Sequence, residues 1–177
     1  MLIAKTDTVM GGRCPIPTQL GRVRVCATKF GLSKEKKNPM TTLTLEIVEP
    51  ETITVGEESF NVVGRQFNWW LVHNPELVGA QSESSQAGVL KLCEKLQIEV
   101  GDSYDTDLHK EYFLGREFDI VLTSEEDVKR YPAKAGERVG APILDAEGKP
   151  ISNGWFITSR PTDVPDNCRP TRVEMPT

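Results

Sequence analysis

"GLSKEKKNPMTTLTLEIV", residues 31–48, sets three lysines in a loop directly ahead of an alternating stretch. Leu43, Leu45 and Ile47 fall on one side of that stretch, and Thr42, Thr44 and Glu46 on the other. A period of two is the mark of a half-buried strand, and threonine and branched residues favour it. Gly31 opens the loop and Asn38-Pro39 closes it. Upstream, residues 20–30 alternate as well. Val23, Val25 and Ala27 share one face, and Arg22, Arg24, Cys26 and Thr28 the other. The stretch therefore reads as a strand, a basic loop and a second strand.

Downstream, Glu49-Pro50-Glu51 turns the chain. "TITV" and "SFNVVGRQFNWWLVH" supply further strand, with Gly64 expected at a bulge or sharp coil. The period then changes: Val89, Leu90, Cys93 and Leu96 recur at three- and four-residue steps. This predicts a helix over about residues 85–97, with Ser84 or Ser85 as its cap. A short helical turn is expected around Asp107 to Leu114. "REFDIVLTSE" reads as a strand, residues 124–140 as a charged loop, and 141–160 as a hairpin turning at Glu147-Gly148-Lys149. The last eighteen residues hold four prolines and read as a tail.

The order is strand, strand, split third strand, helix, strand, late strand. This predicts a mainly β domain with one main helix, arranged as an OB-fold-like five-stranded Greek-key barrel with extended N- and C-terminal arms. The boundaries are an arm over residues 1–19, the domain over 20–159 and a proline-rich tail over 160–177. In that architecture a ligand crosses strands two and three beside the loop joining strands one and two. Here that loop is the lysine loop.

The 177 residues carry a net charge of −5, yet residues 1–40 hold eight lysines and arginines against two acids. That front end is +6, leaving −11 for the rest, so anion binding is expected along a local strip rather than over the whole surface. No run of about 18 apolar residues is present, and no apolar leader opens the chain, so a cytoplasmic protein with no membrane partner is expected. Cys14, Cys26, Cys93 and Cys168 form no CxxC pair, and His73 and His109 stand apart. No metal or cofactor is expected from them.

Single-stranded nucleic acid is held by cations along the phosphates and rings beneath the bases. The cation candidates are Arg22, Arg24, Lys29, Lys34, Lys36 and Lys37. Phe60, Phe67 and Trp155 are further rings, but Phe30, Trp69 and Trp70 are the better placed. Phe30 closes the first strand beside the loop, as a stacker or as an ordinary core anchor. Trp69 and Trp70 are adjacent and point to opposite faces of a strand. Either one fills the core and the other faces out, or both are covered.

"SKEKKNPM" before "TTLTLEIV", "YFLGREFDIVL" and "PILDAEGKPI" resemble segments of phage-encoded single-stranded-DNA-binding proteins of the oligonucleotide-binding type. The resemblance spans roughly residues 15–158. It implies sequence-tolerant binding of single-stranded DNA in phage replication or recombination, inside an infected bacterial cell, with a homo-oligomer as a further expectation. Two departures stand out. Lys37 occupies a position where the family usually has glycine. The tail also lacks a concentrated acidic tip.

Two other classes compete. Proline-rich ends suit a virion structural or subunit-interaction protein. Asp145, Glu147 and Lys149 resemble nuclease metal ligands, but Gly148 and Pro150 make them a turn. Asp102, Asp105 and Asp107 lack the glycine and closing glutamate of a calcium loop. No Walker-type or dinucleotide loop is present, and an enzyme is not expected.

Overall fold

Strands β1 (Gln19–Leu32) and β2 (Pro39–Glu49) pair antiparallel from Arg22↔Glu49 to Leu32↔Pro39, with the lysine loop between them. The computed structural model describes residues 15–33, 37–74, 86–101, 103–137 and 139–175. Beyond β2 lie β3 (Thr52–Val55), β4 (Glu58–Asn61) and β5 (Gln66–Val72). Helix α1 (Gln86–Lys95), β6 (Arg116–Val128), β7 (Ser152–Thr158) and β8 (Thr171–Arg172) follow.

The main sheet is antiparallel and ordered β5-β2-β1-β6-β7, with β8 also on β6. Alternation in sequence becomes burial in space. Val23, Val25, Leu43, Leu45, Ile47, Trp69, Leu71, Phe118, Ile120 and Leu122 all face one core. Val89, Leu92, Cys93 and Leu96 of the helical segment join the same cluster. The helix ends with Gln97 at φ 58, while the Ile98 amide donates to Cys93 O (2.8 Å) and the Gln97 amide to Glu94 O (3.2 Å). That is a Schellman stop, with glutamine in the position glycine usually takes.

The predicted closed barrel is corrected by the pairing. Among the described residues β5 and β7 are the two ends of the strand order and share no ladder, so the sheet stays open along that seam. The split third strand is also resolved: β3 and β4 form a separate two-stranded hairpin, and only β5 joins the main sheet. Gly64 stands in a bulge, as its sequence context predicts: at φ 86 its amide donates to Ile47 O (2.8 Å) while the Ile47 amide donates to Arg65 O (2.9 Å), so two residues oppose one just ahead of β5.

The first strand breaks parity. A register shift between Val25 and Ala27 places Ala27 opposite Thr44 and Lys29 opposite Thr42. Thr44 and Thr42 lie on the outer face, so Ala27 and Lys29 do too. Phe30, opposite the buried Thr41, moves to the core side. Ala27 is thus exposed rather than in the core, as one extra residue in a strand dictates.

Residues 124–140 are not all loop. The strand β6 runs to Val128, and the chain continues as a ribbon through the bridges Arg130↔Pro142 and Leu144↔Pro150. Its tip is tied by the amides of Glu147 and Lys149 on Asp145 Oδ1 (both 2.9 Å). The helical turn falls at Lys110–Tyr112.

The C-terminal stretch read as a tail is built into the core. Val164 and Cys168 are buried, β8 pairs with Arg116 and Glu117, and the Val173 amide bonds Gly115 O at 2.7 Å. At the other end, Ile16 is buried and its amide bonds Ser124 Oγ. Residues 1–14 of the expected arm, and the capping serines Ser84 and Ser85, lie outside the described residues.

Candidate nucleic-acid interface

The outer face of β1, β2 and β5 forms cross-strand rows. Lys29 pairs with Thr42, and Thr42 with Trp70. The next row is Ala27, Thr44 and Asn68, and beyond it Arg24, Glu46 and Gln66. With strands spaced about 4.8 Å apart, the Lys29 and Trp70 backbones are about 10 Å apart across the row. Between them stand only threonine-sized side chains.

The adjacent tryptophans divide. Trp69 is 2% exposed and Trp70 56% exposed. The period of the strand requires this split once Leu71 and Phe67 face inward. Trp69 packs against Phe118 with ring centroids 5.9 Å apart. Trp70 presents its ring to solvent on the row that carries Lys29.

The cations fare differently. Arg22 and Arg24 lie on the outer face, opposite the buried valines, but both are occupied. Arg22 Nη1 donates to Asp119 Oδ1 (3.1 Å), Arg22 Nη2 to Thr171 Oγ1 (3.0 Å), and Arg24 Nε lies 3.3 Å from Glu117 Oε2. Arg169 completes the cluster with Nε and Nη2 on Asp119 at 2.8 and 2.9 Å. The Arg169 guanidinium, with help from the Arg169 amide and Arg22, holds the Asp119 carboxyl down at about 2. Arg22 thus anchors the C-terminal segment and Arg24 is held by Glu117 of β6, so neither faces a ligand freely.

Lys29 and Lys37 are exposed and pair with no carboxylate among the described residues. Lys37 adopts φ 54, the left-handed conformation, inside a loop closed by the Ser33 amide on Asn38 O and the Asn38 amide on Ser33 Oγ (both 2.8 Å). The glycine expected at this position by resemblance has a physical reason, since that conformation costs a side-chain residue about 1 kcal/mol. Lys34 and Lys36 lie outside the described residues. Phe30 is 39% exposed, on the core-side face at the end of β1, and so is not on the Trp70 row.

Beside Trp70 the open seam forms a cleft of about 660 Å³. Gln66, Asn68 and Trp70 line one wall, and Phe156, Thr158 and Arg160 the other. The Trp69 indole N–H donates to Ser159 O across it at 2.9 Å. Sequence reading missed Asn68, Phe156 and Arg160. Asn68 and Phe156 lie within β5 and β7 and Arg160 just beyond β7, and no local residue pattern shows that these two strands face each other across the seam.

Other reactive groups are quiet. Burial pushes the Cys93 thiol up to about 12. Among the described residues no cluster of histidine, cysteine and carboxylate could hold a metal ion, and no helix is long and apolar enough to cross a membrane. Family models, curated proteins and solved structures were each compared with the chain, and none matches.

Proposed function

We propose that this protein binds single-stranded DNA with little sequence preference, across the outer face of β1, β2 and β5. One observation carries the reading: the exposed ring of Trp70 lies in register with Lys29 across Thr42. A base stacks on any aromatic face, and a lysine one row-width away meets the phosphate that joins it to the next base. Lys37, exposed in the loop between β1 and β2, adds positive charge to that side of the molecule, and Lys34 and Lys36 belong to the same loop in sequence.

The strand order supports an opened OB-type barrel as the scaffold. Numbered along the main sheet alone, its strands run third, second, first, fourth, fifth, with the helix between third and fourth. The resemblance of "SKEKKNPM" and "YFLGREFDIVL" to phage single-strand binders adds a setting: DNA replication or recombination in the cytoplasm of an infected bacterium. No reaction is assigned, and the protein acts as a binder.

The test is fluorescence anisotropy of a labelled oligothymidylate at two salt concentrations, with tryptophan emission followed in parallel. Binding that quenches emission and weakens with salt supports the reading. Absence of binding at low salt overturns it.

A second reading, a virion or subunit-interaction protein, is favoured by the 129–151 ribbon. It leaves Tyr131 and Leu144 more than half exposed. Sizing without oligonucleotide separates the two, because a regular multimer broken by Tyr131→Ser favours subunit interaction.

A further inference from the structure

We infer that the cleft on the β5–β7 seam is a nucleobase pocket at the end of the path that crosses Lys29 and Trp70. This rests on the single-strand binding proposed above and adds a second, enclosed subsite to it.

The cleft begins where the platform stops. Trp70 belongs to both, with its ring on the outer face and its residue on the cleft wall. A strand passing from β1 over β2 to Trp70 therefore reaches the opening without changing direction.

The walls match a base. A nucleobase has an apolar face and an edge of donors and acceptors. Phe156 brings a partly buried ring from the far wall, and Asn68 an exposed amide from the near one. The β5 backbone adds to that edge. Ile47 N bonds Arg65 O and His73 N bonds Pro39 O, so odd-numbered residues of β5 turn their peptide groups toward β2. Asn68 and Trp70 then turn theirs toward the cleft. At the rim Arg160 is two-thirds exposed, and its ion pair with Glu125 is long at 3.8 Å. Such a pair holds its partners weakly, so a phosphate can take the guanidinium.

An added peptide strand suits the cleft less well. The Trp69–Ser159 bond spans the seam at its floor, so a strand inserted in the plane of the sheet would have to break it. A base entering from the outer side leaves it intact.

The experiment compares binding of a labelled 20-mer oligothymidylate, and of the same oligomer with abasic sites, to wild type, Phe156→Ala, Phe156→Leu, Arg160→Ala and Trp70→Ala. The stacking contribution per base predicts a loss of about 5-fold or more for Phe156→Ala on the intact oligomer. The loss disappears on the abasic one. Phe156→Leu keeps apolar volume, so a folded leucine variant with the same loss removes misfolding as the cause. Arg160→Ala lowers the salt slope by about 0.7. Intact affinity in both Phe156→Leu and Arg160→Ala, with Trp70→Ala still impaired, overturns the pocket and leaves the platform standing; that pattern assigns the cleft to another occupant, such as a peptide. No binding by wild type overturns both.

Discussion

The indole N–H of Trp69 and the carbonyl oxygen of Ser159 meet at 2.9 Å, ninety residues apart in sequence. Their bond crosses the seam between β5 and β7, which share no ladder among the described residues. One side chain from the core thus ties together the two ends of the sheet. The Ser159 hydroxyl donates to Val121 O at 2.6 Å, which fixes Ser159 to β6 on its own side of the seam.

Trp69→Phe keeps a ring in the core and removes that donor. It leaves a buried carbonyl without its partner, so unfolding free energy falls by about 1–3 kcal/mol. Trp70→Phe, on the exposed neighbour, changes stability by no more than about 0.5 kcal/mol. Urea melts of the two variants check the contrast. Equal midpoints would remove the seam bond from the account of stability.

Trp70→Ala weakens oligonucleotide binding by about 5- to 150-fold, the equivalent of about 1–3 kcal/mol for one stacked base. Lys29→Ala leaves the stacking and lowers the slope of log affinity against log salt by about 0.7. Anisotropy titrations at a series of salt concentrations read both. A tryptophan variant with wild-type affinity contradicts the platform.

Asp119 makes stability depend on acid. Its folded carboxyl lies at about 2, below the 3.8 it has when free, chiefly because the Arg169 guanidinium bonds to it. The clasp contributes fully above pH 4 and is lost as pH falls from about 4 toward 2. Arg169 is largely exposed, and solvent screening reduces the contribution to about 1 kcal/mol. Thermal melts between pH 2 and pH 6 show the loss, and Asp119→Asn flattens the curve in that window. A variant that tracks wild type across the window refutes the assignment.

Lys37→Gly relieves the left-handed backbone of the basic loop. Stability rises by about 0.5–1 kcal/mol, because glycine accepts that conformation without a Cβ clash. Lys37→Ala removes the same charge without the relief. A glycine variant no more stable than the alanine one would show that the loop does not hold this conformation in solution. Chemical denaturation distinguishes the pair.

Much of the sheet was legible because half-buried strands write their burial in alternation. Val23, Val25, Leu43, Leu45 and Ile47 are buried where the period puts them. The helix from Gln86 to Lys95 followed from a change of period. Two kinds of feature were not legible. The extra residue near Cys26 reverses the faces of Ala27 and Lys29, and no local residue type announces a bulge there. Long-range pairing is the other: the open seam, the Arg160 rim and the burial of Cys168 depend on contacts between segments far apart. Proline density made residues 160–177 read as a tail, although prolines also suit a chain crossing a surface in extended form. The split of Trp69 and Trp70 was legible as two alternatives, and the fold selects one.

The clasp on Asp119 also has a meaning in time. Its carboxylate waits for an amide fifty residues later in the chain. At ribosomal speeds that delay is about 3–10 s, during which β6 has β1 beside it but lacks β7, β8 and Arg169. A nascent chain in that interval offers a half-paired acid and the uncovered edge of β6 to whatever surrounds it, so slowing translation after β6 is expected to raise the fraction captured by chaperones.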